Sequence, residues 1–381
     1  MRILHTSDWH LGRSFHGSSL HDLTEQVLEE LLSLIQQEQI DLLLISGDVY
    51  DQAQPRTETV QLLDRTLTRL AEAGVKVIAI SGNHDSAIRL GFASEILRGQ
   101  GIYLVTSSEQ VGQPIILEEQ GLKVAFYPIP YLEPRPLASR WQLEASHQEV
   151  LAEAMRRCQQ DAATRDLDAS IVLAHCFAGG GSPSDSERDI RVGGVDKVDA
   201  QIFSWASYTA LGHLHGRQKL SETVRYSGSL LAYSFSEEKH RKGAWILELG
   251  PGGLLEVRDY QWKTRLEIKS LRGRLEELLA PEVTSLYGQA FVRISLTDSE
   301  RPAAALSRLR EHYSHLQELY FEADNLSQPT TSSYQGQNQQ ASSQEICAAF
   351  FQHVRGRELT EGEEAYLQAS IEAVRQERAS A

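Results

Sequence analysis

The chain has 381 residues, 41% of them hydrophobic and 23% charged, and a formal net charge of -15. That composition is ordinary for a soluble globular protein of two or three domains, and its acidity counts against a broad electrostatic coat for nucleic acid. No run approaches the roughly 20 apolar residues of a membrane span, and no signal peptide is expected. Cys158, Cys176 and Cys347 form no CxxC pair, so a reducing cytoplasm is the expected compartment.

"RILHTSD" predicts a first strand, followed by Leu23, Val27, Leu31, Leu34 and Ile35 at helical spacing. "DLLLISGDVYD" predicts a second strand, with a helix marked by Val60, Leu63, Leu67 and Leu70. "VKVIAISGNHD" predicts a third, then a helix from about Ile88 to Leu97. Continuous apolar runs alternating with helices predict an α/β fold whose sheet is covered on both faces. Further along, "LKVAFYPIPYL", "DASIVLAH" and "YTALGHLH" read as strands, Glu144 to Ala163 as a helix, and "RYSGSLLAYSF" and "GAWILELG" as closing sheet.

From about Thr264, "TRLEIKSL", "QAFVRISLT" and "LQELYFEAD" alternate with the helical patterns "RGRLEELLA" and "AAALSRLREHY". The expected organisation is a large domain over 1–262, a small α+β domain over 263–324, an uncharged linker over 325–343, and a helical tail over 344–378. The linker offers almost nothing to bury and cannot offset its chain entropy.

Five apolar runs end in side chains of one chemical kind. They deliver Asp8 and His10, then Asp48 with Asp51, then Asn83 and His84, then His175, then His213 and His215. In α/β sheets the carboxyl ends of strands face a common crevice, so these residues can converge in space. Carboxylate, imidazole and amide oxygen donors suit manganese, iron, magnesium or zinc, and no thiolate is placed to select a soft ion. Seven donors exceed one coordination sphere and point to two ions. Asp48 is the natural bridge, with Asp8, His10 and His215 on one ion and Asn83, His175 and His213 on the other. Asp85 is expected to cap the helix that follows it.

The order "DWH … GDVYD … GNHD … H … GHLH" resembles the calcineurin-like metallophosphoesterase superfamily. Within it, "HTSDWHLGRSF", "SGDVYDQAQP", "ISGNHDS", "RDIRVGGVD" and "ALGHLHGRQ" are similar to the SbcD nuclease family, over nearly the whole chain. The resemblance implies a metallophosphoesterase sandwich, sheets flanked by helices, with a small capping domain that binds DNA. It implies a nucleoid-associated, manganese-dependent 3′-to-5′ exonuclease and single-strand or hairpin endonuclease, with magnesium or other divalent ions as substitutes. The implied substrates are DNA ends and hairpins, and the implied partner is an SbcC-type coiled-coil ATPase in a two-plus-two assembly containing a homodimer. It gives His84 the role of donating to the scissile phosphate and leaving oxygen, and Asp51 that of orienting His84. One departure is "LAHC", which has Ala where Gly frequently precedes the histidine.

A dimetal phosphatase or small-substrate phosphodiesterase is the alternative. It is disfavoured because "QAQP" follows Asp51 where related protein phosphatases carry Arg-Gly, and because such an enzyme needs no second domain or tail. Arg13, Arg188, Arg191, Gly193 and Gly194 are expected to approach the DNA backbone, a contact that positions without reading sequence. In the tail, Ser342 with Glu345 and Thr360 with Glu363 have capping-box spacing. They precede Ile346, Phe350 and Val354, then Leu367, Ile371 and Val374, with Phe350 and Phe351 expected on one exposed side. The base of the SbcC coiled coil is the partner that the resemblance implies for this face.

Overall fold

The structure, a computed structural model, describes residues 1–119, 121–187, 197–322, 342–355 and 357–379, without the side chains at 343, 353–355 and 374–379. Arg188, Arg191, Gly193 and Gly194 therefore lie outside the described residues, as does most of the expected linker. The chain divides into two units, Met1–Lys269 and Ser270–Ala381.

The first unit holds two six-stranded sheets. One runs Gly253–Gln261, Gly243–Gly250, Arg2–Thr6, Leu42–Ser46, Lys76–Ile80 and Ile102–Val105. It is parallel from Arg2–Thr6 outward and antiparallel at the late hairpin. The other runs Gln218–Lys219, Val224–Tyr226, Tyr208–Gly212, Ala169–His175, Leu122–Ile129 and Ile115–Glu119, parallel in its middle strands.

Strand alternation sorts the side chains into layers. Ile3, Leu42, Leu44, Ile78 and Ile80 meet Phe126, Ile171, Leu173 and Tyr208 in one core between the sheets. Val172 and Ala174, one residue out of step, pack instead with Val150, Ala154 and Met155 of the helix His147–Ala162. Each such buried aliphatic side chain contributes roughly 1.5–3 kcal/mol. Helices His21–Glu38 and Thr57–Glu72 bury Val27, Leu31 and Ile35, and Leu63, Leu67 and Leu70, on their apolar faces.

The expected sandwich of sheets flanked by helices is what the chain forms: the two sheets face each other across one core, and helices pack on the outer face of each. A continuous apolar run marks a strand buried twice, and nothing in its periodicity says what covers it. Two expectations differ locally. The helix expected over Ile88 to Leu97 breaks into Ala87–Leu90 and Ser94–Arg98, separated at Gly91 and at Ala93 with φ 60°. "RYSGSLLAYSF" pairs only at Arg225 and Tyr226, the end of the strand Val224–Tyr226; Gly228, at φ 75°, follows two residues later.

The second unit contains a three-stranded sheet of Ile268–Gly273, Phe291–Leu296 and His315–Phe321, with Leu275, Leu278, Val292, Ile294, Leu309 and Tyr313 in its core. Its tail forms helices Ser343–Arg355 and Glu361–Ala379. Both capping boxes are made: Ser342 and Glu345 exchange bonds, as do Thr360 and Glu363. Ile346, Phe350 and Tyr366 are exposed. Phe351, expected to be exposed with Phe350, is instead half-buried like Leu367 and Ile371, because the second helix packs against the first and Tyr366 and Leu367 line a groove with it. Val354 falls in the first helix with its side chain outside the described residues. Among the described residues no helix is long and apolar enough to cross a membrane.

Candidate metal centre

The donors stand at or just beyond the carboxyl ends of the parallel strands, four of them on bent backbone. Asp8, His10, Asp48 and His213 have φ of 50°, 43°, 48° and 106°. A left-handed conformation costs a residue with a Cβ roughly 1–2 kcal/mol, and such strain persists only where the surroundings over-determine it. Here the first two loops bond each other: the N–H groups of Asp8 and His10 donate to the carbonyls of Gly47 and Asp48 at 3.0 and 2.9 Å. Asp85 locks the third loop to the second, accepting from the N–H groups of Gly82, Val49 and Tyr50 at 2.9, 3.0 and 2.8 Å. It is thus a cross-loop brace and not the expected helix cap; Ser86 caps that helix. Glycine is required beside the donors, since a Cβ on Gly82 would lie 2.1 Å from Asp48 Oδ1, and one on Gly47 2.3 Å from His175 Nδ1.

Four rings turn Nδ1 toward oxygen. His175 Nδ1 lies 2.9 Å from the Ser46 carbonyl, His84 Nδ1 2.7 Å from the Asp51 carbonyl, His10 Nδ1 3.4 Å from the Asp51 carboxylate and His215 Nδ1 2.6 Å from the Ser186 hydroxyl. Carbonyl oxygens only accept, so Nδ1 carries the hydrogen in His84 and His175, and Nε2 is left to bind a cation or proton. The Nε2 atoms of His10 and His175 reach Asp48 Oδ2 at 3.6 and 3.4 Å. His10 Nε2 also faces His215 Nε2 at 3.0 Å, while His175 Nε2 and His213 Nδ1 face Asn83 Oδ1 at 2.9 and 3.3 Å. Asp8 accepts from the His213 N–H at 3.0 Å. The groups Asp8–His10–His215, His10–Asp48–His84 and Asp8–Asp48–His175 each bring one donor atom per residue within 4.8 Å of the others.

The electrostatics favour positive charge at the centre. Burial works against ionisation of Asp48, but His175, His10 and His84 outweigh it and hold its pKa well below the usual carboxylate range. Burial likewise opposes the imidazolium of His175, yet Asp48 raises its pKa to about 9. Burial pushes Asp8 up to about 6. It lowers His213 strongly, helped by His175, and lowers His84 against the pull of Asp48. Imidazole nitrogens and an amide oxygen gathered around an ionised carboxylate fit divalent cations, which would displace the protons now held there.

All seven sequence-predicted donors and His84 converge in this one place. Asp51 is there too, but it meets His84 through its backbone carbonyl; its carboxylate bonds Arg13 at 2.9 Å. Arg13, expected to meet DNA, also donates to the Ser186 carbonyl at 3.0 Å and lies over the Tyr233 ring, so it is engaged within the site. Sequence reasoning missed Ser186, Glu187, Glu237 and Lys242, which surround His215 from behind. They carry no motif spacing. They lie more than 20 residues from His215 in the chain, with Asp199, Arg217 and Glu222 nearer to it, so no sequence signal marks them.

The profile of the calcineurin-like phosphoesterases matches residues 1–217. The chain is 30% identical over 321 residues to the SbcD component of the nuclease SbcCD of Staphylococcus epidermidis, covering 83% of this chain and 84% of that one. It is 29% identical over 324 residues to the protein of the same name from Staphylococcus saprophyticus, covering 84% and 82%. A dimetal phosphatase structure from Danio rerio is 12% identical with a TM-score of 0.40, over 69% of this chain and 99% of that one, a distant likeness on which nothing further rests.

Proposed function

The chain belongs to the calcineurin-like phosphoesterase family, as a metal-dependent phosphodiester hydrolase of the SbcD nuclease type, and we propose that it cleaves DNA ends and hairpins with manganese, as exonuclease and endonuclease, beside an SbcC-type ATPase. The observation that carries this reading is the gathering of potential ligand atoms in two pairs, His10 Nε2 with His215 Nε2 and His175 Nε2 with Asn83 Oδ1, on either side of Asp48. Asp8, His10 and His215 would hold one cation, Asn83, His175 and His213 a second, with Asp48 shared. Divalent cations bound there supply Lewis-acid polarisation of the phosphate and a water acidified toward neutrality.

The chain's own residues do the rest. His84 gives its Nδ1–H to the Asp51 carbonyl, which fixes the ring and leaves Nε2 to meet the leaving oxygen. Its pKa lies below the ordinary value, through burial. A phosphate brought beside it raises that value again, so the imidazolium can donate as the bond breaks. Asp51 orients His84 by its carbonyl and holds His10 and Arg13 by its carboxylate.

Two apolar surfaces support the assembly. Ile346 and Phe350 on the tail, with Phe351, Leu367 and Ile371 beside them, suit a coiled-coil partner. Ile88, Phe92 and Ile96, each at least 78% exposed, suit pairing of two copies. The deciding assay compares turnover of linear DNA with that of p-nitrophenyl phosphate and cyclic nucleotides, manganese supplied. DNA degradation is expected, and turnover of the small esters without DNA cleavage overturns the reading.

A further inference from the structure

We infer that Ser186 and Glu237 form a relay that decides which nitrogen of His215 carries hydrogen, and thereby keeps its Nε2 lone pair aimed at the centre of the cluster. The inference rests on the proposed reading of His215 as a metal ligand. Glu237 is 1% exposed. One of its carboxylate oxygens accepts from the hydroxyls of Ser186 and Ser234 and from the Tyr233 N–H, and the other is paired with the Lys242 ammonium. A carboxylate matched by an ammonium has no proton to give and can only accept. The single hydrogen of the Ser186 hydroxyl is thus committed to Glu237. Its oxygen presents only lone pairs to His215 Nδ1, 2.6 Å away. Nδ1 must then be the N–H, and Nε2, facing His10 Nε2 at 3.0 Å, must be the lone pair.

The backbone of His215 is gripped as well as its ring. Glu187 accepts from its N–H at 2.8 Å, and Lys242 donates to its carbonyl at 2.7 Å and to Ser229 Oγ at 2.8 Å. Lys242 therefore serves twice, holding Glu237 ionised and fixing the residue whose ring Glu237 polarises. His175 and His84 obtain the same tautomer from a single backbone carbonyl. His215 alone obtains it through an intervening hydroxyl, which by itself could donate or accept, so here the carboxylate behind the serine supplies the direction. Ser186 and Glu237 are positioning residues; partners of this kind typically govern metal affinity by about 10–100-fold.

The test uses the full chain, histidine ¹⁵N NMR without metal, and calorimetric titration with manganese. In the parent, His215 should show the Nδ1–H tautomer alone, its signal assigned by its loss in His215→Gln. Ser186→Ala should give mixed tautomers and manganese affinity lower by about 10–100-fold, and Ser186→Thr, which keeps the hydroxyl, should restore both. Glu237→Gln leaves Lys242 buried and unpaired, so the double variant Glu237→Gln/Lys242→Met, which removes both charges, carries the same expectation should the single one not fold. If His215→Gln weakens manganese binding while Ser186→Ala and the double variant keep the parent's affinity and tautomer, the relay is wrong and the ligand reading stands. If His215→Gln binds manganese like the parent, the ligand reading fails and the relay falls with it.

Discussion

The Nε2 atoms of His10 and His215 lie 3.0 Å apart in the protein interior. The two residues come from opposite ends of the catalytic unit, and His10 sits on backbone in a left-handed conformation. A cation that enters between them can be held by both rings.

Manganese should therefore stabilise the fold. At about 100 times its dissociation constant a ligand specific for the native state contributes about 2.7 kcal/mol. Scanning calorimetry with manganese, then with excess EDTA, should show a rise and fall of Tm by several degrees. Asp48→Asn should abolish the difference; a full manganese shift in that variant would show that Asp48 is not shared by the ions.

His84 is half-buried and bonds the Asp51 carbonyl. His84→Ala should retain manganese binding and lose about 10²–10⁴-fold of DNA cleavage, the usual worth of general acid assistance. Titration beside nuclease assays separates the roles. Lost metal binding would make His84 a ligand, and near-normal turnover would leave it no chemical part.

Gly82→Ala tests the cradle around Asp48. A Cβ 2.1 Å from Asp48 Oδ1 forces the carboxylate to move. Overpacking of this kind costs about 1–3 kcal/mol, and it should be accompanied by loss of manganese affinity. Parent-like values of both would mean that the loop yields freely.

His5 lies buried between the sheets, with Nδ1 3.0 Å from the Tyr208 hydroxyl and Nε2 3.3 Å from the Leu211 carbonyl. Burial lowers its pKa from 6.5 to about 3. The unfolded chain then binds a proton that the folded chain refuses, so stability falls as pH drops from about 6.5 toward about 3. The slope from this group alone is at most about 1.4 kcal/mol per pH unit. His5→Gln can bond the same two partners without titrating and should flatten urea-unfolding midpoints across that range. An unchanged slope would assign the acid sensitivity to other groups.

Removing Glu345 to Ala381 takes away both capped tail helices. Association with an SbcC-type partner should be lost while manganese-dependent nuclease activity of the isolated protein remains. Undiminished co-purification of the shortened chain would sink the assignment.

The donors were legible because each follows its strand within a few residues, and a strand end is a local property. The braces were not. Asp85 looks like a helix cap from its neighbours, yet its partners, Val49 and Tyr50, belong to another loop. Ser186 and Glu237 meet only because residues 51 apart in the chain fold to the same side of His215, beside its Nδ1. Hydrophobic pattern told that the strands are buried on both faces; it could not tell sheet from helix as the cover. The break at Gly91 and Ala93, where a helical pattern runs on, came from backbone geometry that periodicity does not encode.

The strand Arg2–Thr6 lies between Leu42–Ser46 and Gly243–Gly250, with Leu4 opposite Leu43 on one side and Ile246 on the other. Its first neighbour arrives early in synthesis and its second very late. Pairings of such long sequence separation form slowly. A nascent chain can thus display Asp8, Asp48 and Asn83 on a growing sheet well before His213 and His215 exist, and before Lys242 and Glu237 arrive to align the last ring. On the proposed ligand reading, a copy released before His213 carries an incomplete donor set and should not hydrolyse, so activity waits on the order of translation.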